Sequence, residues 1–197
     1  MRNFLMVLAL SISTASYAAS LQSGIYEGLQ LAVSPTGDVT GYYSETLGQG
    51  VTRNCSFALA GKVNAVQEAD IRSWSSDVLP GHIAATKNGV VLRIPQGQSH
   101  DGCINVMVPL IDEGLELERT RQTRWLSMAE VSGERVYLSN SPDVATRRKA
   151  WLVKGDVVGV VKNQSGWTQI EFVSESGKTT AGWVESSKIK PLTPPAA

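Results

Sequence analysis

Short stretches in which apolar and polar residues alternate run along the chain from Gly24 onward, and clusters of turn residues separate them. Cys55, Phe57 and Leu59 show the period of two, which places them on one face of a strand because successive side chains point to opposite sides. Asn88-Gly89, between two apolar stretches, is a strong signal for a hairpin turn. The pattern therefore predicts an all-β protein.

The first module is predicted to span residues 20–122 and to contain about eight strands, with turn signals about every ten residues, as in a small antiparallel barrel or a sandwich. Residues 66–74 fit a helical turn as well as a strand, and we assign them to a strand. Pro80-Gly81 is predicted as a turn, and residues 103–110 (CINVMVPL) are predicted as an apolar strand.

A basic stretch, residues 119–124, follows this module and is interpreted as a solvated edge strand or linker. The alternative is a phosphate-binding cluster, but the stretch lacks the glycine-rich turns and interleaved aromatic residues of such sites. Trp125 comes next and is expected to pack between the two modules.

The second module is predicted to span residues 127–192 as another set of short strands. Gly155-Asp156 suits a tight turn, because glycine tolerates unusual backbone angles and aspartate bonds its own backbone. We expect Gly182 to let two strands approach closely and Trp183 to fill the core. Trp167 begins a strand beside a polar loop, so it either faces solvent as a recognition residue or packs structurally.

An ordered set of motifs in this module resembles the bacterial Src homology 3 (SH3) domain of exported cell-wall proteins. The matching residues are Val136-Tyr137-Leu138, Ser141-Pro142, Leu152-Val153-Lys154-Gly155-Asp156-Val157-Val158, Val160, Gly166-Trp167, Ile170, Gly177-Lys178, Gly182-Trp183-Val184 and Ile189. The chain departs from the family at residues 136–138, where Leu-Asn-Val-Arg is usual. The resemblance implies an SH3-like β-barrel that engages peptidoglycan stem peptides or a cell-wall protein. Its candidate binding residues are Trp167, Tyr137, Asn140, Asp143 and Trp151.

The N-terminus has the pattern of a cleaved signal peptide over residues 1–19. Arg2 precedes an apolar run at residues 4–10, and Ser16-Tyr17-Ala18 supplies small residues at the cleavage site. A retained anchor is the alternative, but the run is shorter than the ~20 residues that span a bilayer. The mature protein is therefore expected in the periplasm or secreted, without stable membrane insertion. The prolines near the C-terminus predict a disordered tail at residues 193–197.

Cys55 and Cys103 are the two cysteines of the chain. In an oxidising compartment a disulfide between them is the default, and closing a loop of this length would stabilise the fold by roughly 4 kcal/mol. The alternative is a catalytic thiol paired with His82 or His100, which would need a free thiolate.

The charge balance and the motifs argue against several function classes. With 18 basic and 18 acidic residues, and Arg2 removed with the signal peptide, the mature chain lacks the field that attracts nucleic acid. No hydrolase or phosphate-binding motif occurs, and His100 with Asp101 and Cys103 is too small a set for zinc. Glu116 and Glu118 are interpreted as the solvated side of a strand. We predict no catalytic activity, no metal and no cofactor.

Three functions remain open from the sequence. The first is a non-enzymatic binding protein of the bacterial cell envelope that recognises peptidoglycan or a cell-wall-associated protein. The alternative is a periplasmic inhibitor or immunity protein against a cell-wall-degrading enzyme, since a rigid, disulfide-stapled scaffold loses little entropy on binding. The third is a carrier that holds a small ligand inside the first barrel. The oligomeric state is not predicted.

Overall fold

A computed structural model of the chain describes residues 19–195, which form two antiparallel β-sheets. The all-β prediction is confirmed. The predicted signal peptide, apart from Ala19, and the last two residues of the predicted tail lie outside the described residues. Between residues 19 and 195, no helix has the length and apolar character needed to cross a membrane.

The first sheet is a closed barrel in which each strand pairs with its neighbour in the chain and the last strand returns to the first. Its strands are β1 (Gly24–Tyr26), β2 (Leu29–Val33), β3 (Asp38–Leu47), β4 (Arg53–Val63), β5 (Glu68–Trp74), β6 (Val78–Ala85), β7 (Gly89–Arg93) and β8 (Leu115–Gln122). The barrel alternative to a sandwich is therefore correct. The hairpin predicted at Asn88-Gly89 joins β6 to β7, and the stretch assigned to a strand near residue 70 is β5.

Apolar side chains fill the interior of the barrel. The alternation in β4 puts Cys55, Phe57 and Leu59 inside, as predicted, where they pack with residues from the other strands. The largest fully buried members of this core are Phe57, Leu29, Leu31, Leu59, Ile83, Leu92, Ile94 and Ile111. A carrier would need an open interior, and this one is occupied by the protein's own side chains.

The segment that carries Cys103 differs from its prediction. Cys103 forms the expected disulfide with Cys55, across a Cα–Cα distance of 4.3 Å, but residues 103–110 contain 3₁₀ turns instead of a strand. Gly102 has a φ of 73°, which turns the chain, and Pro109 has no N–H to donate to a strand ladder. Cys103, Val106 and Met107 of this run are buried in the barrel core, whereas Ile104, Val108 and Leu110 are exposed.

Two further predictions in the first module were wrong. Pro80-Gly81 lies inside β6, in the part that pairs only with β5, because the pairing of β6 with β7 begins at His82. The missing N–H of Pro80 is therefore not needed by a second neighbour. The basic stretch is neither an edge nor a linker over most of its length, since Arg119 and Arg121 lie in β8 and pair with β1.

The second sheet is curled and has seven strands in the order β11-β10-β14-β13-β12-β9-β15. These strands are β9 (Ser127–Val131), β10 (Arg135–Ser139), β11 (Arg147–Val153), β12 (Val157–Gln164), β13 (Trp167–Val173), β14 (Thr179–Glu185) and β15 (Ile189–Pro191). Its inner face packs as a separate core around Val131, Leu138, Val158, Ile170 and Val184.

The turn and close-approach predictions for this sheet are confirmed, whereas the prediction for Trp183 is wrong. Gly155 has a φ of 93°, and Asp156 Oδ2 accepts the N–H of Val153 at 2.8 Å. A Cβ on Gly182 would lie 3.0 Å from that of Leu138. Val184, not Trp183, points into the core, because neighbouring residues of β14 face opposite sides of the sheet.

Trp125 joins the two sheets, as expected. Its side chain is only 1% exposed and packs with Ala32 and Ala58 of the barrel and with Met128 of the second sheet. The indole N–H donates a hydrogen bond to Glu171 Oε2 at 2.9 Å. Two further hydrogen bonds cross the seam, from the Met128 N–H to Thr40 Oγ1 at 2.7 Å and from Ser23 Oγ to the Trp125 carbonyl at 2.7 Å.

Candidate binding surface

The hairpin of β10 and β11 carries an aromatic pair on its outer side. Val136 and Leu152 face each other on the buried side of the hairpin, so the next pair in register, Tyr137 and Trp151, lies on the outer side. The two rings meet edge to face, with centroids 6.3 Å apart. Trp151 is 51% exposed. A half-exposed tryptophan on a paired strand offers a rigid contact surface that costs little side-chain entropy on binding.

Two arginines extend this pair into a row of four side chains. The Arg135 guanidinium lies 5.0 Å from the centre of a Trp151 ring, and the Arg147 guanidinium lies 5.1 Å from the centre of the Tyr137 ring. We call Arg135, Trp151, Tyr137 and Arg147 the aromatic–arginine row. Among residues 19–195, neither guanidinium forms an ion pair with a carboxylate. Both cations are therefore stacked on aromatic rings and remain available to an anion.

A shallow depression of about 70 Å³ lies beside the row. Trp167, which pairs with Glu185 across β13 and β14, lines the depression opposite the hairpin. The residues around it are Arg135, Val136, Tyr137, Ser139, Val144, Arg147, Trp167, Glu185 and Lys188. Sites that hold a whole small molecule have volumes of about 300–1,000 Å³, so this depression can hold one small polar group and not a whole ligand.

The side chains around the depression favour an anionic group. Arg135, Arg147 and Lys188 are cationic, and Glu185 is the acidic residue among the lining side chains. The planar guanidinium of arginine matches a carboxylate or phosphate with two parallel hydrogen bonds. Over residues 19–195, no cluster of three or more histidine, cysteine or acidic side chains could hold a metal ion. The surface is therefore suited to binding a carboxylate that is attached to a larger apolar body.

Three of the five candidate residues come together here and two do not. Trp167 and Tyr137 line the depression, and Trp151 contacts Tyr137. Asn140 and Asp143 are exposed in the turn after β10, and neither lines it. The Asp143 carboxylate accepts the N–H of Ala145 at 2.9 Å, which caps the short 3₁₀ turn Val144–Thr146.

Sequence reasoning missed the cationic members of the surface. Arg135 lies two residues before Tyr137, and Arg147 four residues before Trp151, so the period of a strand places each arginine on the face of its aromatic neighbour. That signal was present in the chain. The arrangement of the row depends in addition on the register of the hairpin, which pairs Tyr137 with Trp151.

The alternative of a catalytic thiol is excluded by the disulfide, because neither Cys55 nor Cys103 is free. His100 is 3% exposed and stacks on Phe57, with ring centroids 4.5 Å apart. Its Nε2 lies 2.9 Å from Ser73 Oγ. Burial lowers the pKa of His100, against opposing effects of nearby acidic residues that raise it. His100 is therefore a neutral packing residue and not an accessible base.

Comparison of this chain with protein-family models, with curated proteins and with solved structures finds no match. A functional proposal therefore depends on the residues of the chain itself. The disulfide is consistent with an extracellular or periplasmic protein.

Proposed function

We propose that the protein is an exported, non-enzymatic binding protein of the bacterial cell envelope that recognises peptidoglycan. In this proposal residues 1–19 direct export to the periplasm and are removed, and the second sheet acts as an SH3-like binding domain. The observation that supports it is the exposed aromatic–arginine row next to a cationic depression. The resemblance of residues 136–189 to bacterial SH3 domains supports the same ligand.

The chemistry of the row fits a peptidoglycan stem peptide. Such a peptide offers free carboxylates on a short aliphatic chain, attached to amino sugars. One carboxylate would enter the depression between Arg135 and Arg147, where charge-assisted hydrogen bonds form at their guanidinium groups. The aliphatic part would lie across Trp151 and Tyr137. Tryptophan, tyrosine and arginine are enriched among the residues that dominate the binding energy of protein interfaces.

Co-sedimentation with purified sacculi tests this proposal on the exported chain. We expect Trp151→Ala and Arg147→Gln each to weaken retention at least about tenfold, since removal of a dominant contact costs about 2 kcal/mol. Trp167→Ala is expected to weaken retention with little loss of stability. Ile104→Ala is the matched control, because Ile104 is a 67% exposed apolar residue of the first module. The proposal is wrong if Trp151→Ala, Arg147→Gln and Trp167→Ala all bind sacculi as the unchanged protein and the Ile104→Ala control do.

A second candidate function is inhibition of a cell-wall-degrading enzyme, favoured by a protruding apolar hairpin tip. Val51 lies between β3 and β4 and is 86% exposed, and Leu47 beside it is also exposed. The Cys55–Cys103 disulfide ties the loop-proximal end of this hairpin, where Cys55 pairs with Glu45, to the adjacent turn segment. A cross-link close to the tip limits its freedom in the unbound protein, which suits insertion into an enzyme cleft because less entropy is lost on binding.

Enzyme assays separate this candidate from wall binding. A muramidase and a stem-peptide amidase would each be titrated with the protein and with Val51→Asp. Inhibition that Val51→Asp abolishes and Trp151→Ala leaves intact supports the inhibitor. Full activity of both enzymes in the presence of excess protein rejects inhibition of muramidases and stem-peptide amidases.

A further inference from the structure

A cleft of about 460 Å³ lies where the two sheets meet. Its floor is the outer face of β2 and β3, including Gln30 and Tyr42, which pair with each other in register. Its opposite wall is formed by Val157 and Phe172 of the second sheet, and the turn that contains Glu175 forms part of its rim. A volume of this size lies within the range of sites that hold small molecules.

The lining of the cleft combines apolar walls with acidic groups. Ile25, Val157 and Phe172 supply apolar surface. Among residues 19–195, Asp156 and Glu175 are the charged residues that line it, and no lysine, arginine or histidine of that part of the chain does so. One carboxylate oxygen of Asp156 already accepts the N–H of Val153. The remaining acceptors would favour a cation, and the apolar walls would favour an attached hydrophobic body.

Gln30 gives an independent indication that a hydrogen-bond donor belongs here. Its side-chain oxygen is buried and has no hydrogen-bond partner within the described part of the chain, residues 19–195. A buried acceptor without a partner costs about 1–3 kcal/mol, and nearly all such groups in folded proteins have a partner. The terminal amide of glutamine rotates over a broad, soft torsion, so the oxygen can be turned toward a donor in the cleft.

We propose that this cleft binds an amphipathic amine, in which a protonated amino group is attached to a single ring or short alkyl chain. The amino group is placed between the Gln30 oxygen and the acidic rim of Asp156 and Glu175. The apolar body lies against Val157 and Phe172. This site is distinct from the aromatic–arginine row, which has the opposite charge and shares no lining residue with the cleft.

Binding at this position would also strengthen the contact between the two sheets. The ligand would touch β2 and β3 of the barrel together with β12 and β13 of the second sheet, so it favours the state in which these surfaces are together. A ligand that binds only the folded state raises its stability by mass action.

The test uses two probes that share a phenyl ring and a short chain: 2-phenylethylamine, which is cationic, and 3-phenylpropanoate, which is anionic. Binding to the full chain is measured by NMR shift perturbation and by the change in Tm. We expect 2-phenylethylamine to bind with a Kd near the millimolar range that is usual for such small ligands. Its perturbations should centre on the side-chain amide of Gln30 and on Tyr42, and 3-phenylpropanoate should bind at least about tenfold more weakly.

Two variants and a control complete the experiment. Glu175→Gln removes an exposed rim charge and is expected to weaken amine binding about three- to fivefold without affecting the fold. Gln30→Leu should weaken it further by removing the acceptor. Glu113→Gln, an exposed acid of the first module outside the cleft, should change nothing. Equal binding of the two probes, perturbation away from the cleft, or no saturable binding at millimolar concentration each overturns the proposal.

Discussion

Replacing Gly159 with alanine should break the contact on which the seam depends. Gly159 lies in β12, opposite Glu171 on one side and Met128 on the other. A Cβ at this position would lie 2.5 Å from Cγ of Trp125 and closer still to Cδ2 and Cε2 of the same ring. Because real Cβ atoms do not approach other atoms so closely, the indole would have to move.

The cost follows from the two interactions that this movement disturbs. Forcing an extra methyl group into a packed core costs about 1–3 kcal/mol. Displacing the indole also breaks the hydrogen bond from its N–H to Glu171 Oε2, and a hydrogen bond to a charged group contributes about 1.5–3 kcal/mol. We therefore expect Gly159→Ala to lower the free energy of unfolding by about 4 kcal/mol. In a protein of this size that corresponds to a fall in Tm of roughly 10 °C.

Urea denaturation of four proteins measures this effect: the unchanged chain, Gly159→Ala, Trp125→Ala and the double variant. Trp125→Ala removes the ring and leaves space for the new methyl group, so adding Gly159→Ala to it should cost less than about 1 kcal/mol. The coupling free energy between the two sites should then exceed about 2 kcal/mol, at the upper end of values for residues in contact. If Gly159→Ala costs the same in both backgrounds, Trp125 is not what the methyl group meets.

Three further predictions concern the first sheet. Replacing Cys55 and Cys103 together with alanine should lower the free energy of unfolding by about 4 kcal/mol, from the loop-closure entropy of a sequence separation of 48 residues, and chemical denaturation measures it. Lowering the pH below about 6.5, the ordinary pKa of histidine, should destabilise the protein. The reason is that His100 of the unfolded chain then binds a proton, whereas burial in the folded protein lowers the pKa of His100 and opposes protonation. His100→Phe should reduce the dependence of the free energy of unfolding on pH, which denaturation at several pH values measures. Gly61→Val should cost more than about 3 kcal/mol and lower Tm, because its Cβ would collide with the backbone carbonyl of Asp70 in the adjacent strand.

Each of these predictions has an outcome that contradicts it. Equal unfolding midpoints for the oxidised protein and the double cysteine variant would show that the disulfide does not stabilise the fold. If the free energy of unfolding of His100→Phe depends on pH as that of the unchanged protein does, other groups cause the acid sensitivity. His82→Gln is the control, because His82 contacts Glu68 and Asp70 on the surface. A Gly61→Val protein of normal Tm would mean that β4 and β5 are farther apart than described.

The sequence was sufficient for the local features of this fold. The period of two identified Cys55, Phe57 and Leu59 as one inward face, and Asn88-Gly89 identified a hairpin, because both signals depend on neighbouring residues alone. The placement of Trp125 at the seam was also predictable, since a large apolar residue between two modules needs a surface to cover it.

Features that depend on pairing between distant strands were not predictable in the same way. The sequence predicts that Trp183 fills the core, but the register of β14 with its neighbours places Val184 there. Residues 103–110 are apolar enough for a strand, yet they contain turns that are packed over the barrel core. The aromatic–arginine row depends on the register of the β10–β11 hairpin, which places Tyr137 opposite Trp151. This register brings Arg135 and Tyr137 of β10 next to Arg147 and Trp151 of β11.

The position of Trp125 has a consequence for how this protein can be rearranged. The segment between β8 and β9 would be the natural place to divide the chain, and Trp125 lies in it. The indole of Trp125 packs on two alanines of the barrel and donates a hydrogen bond to Glu171 of the second sheet. Either half transplanted alone would present a bare apolar patch to water. A gene fusion or recombination that preserves solubility must therefore move both sheets together. If it moves one sheet alone, it must supply another surface that buries the apolar patch at the seam.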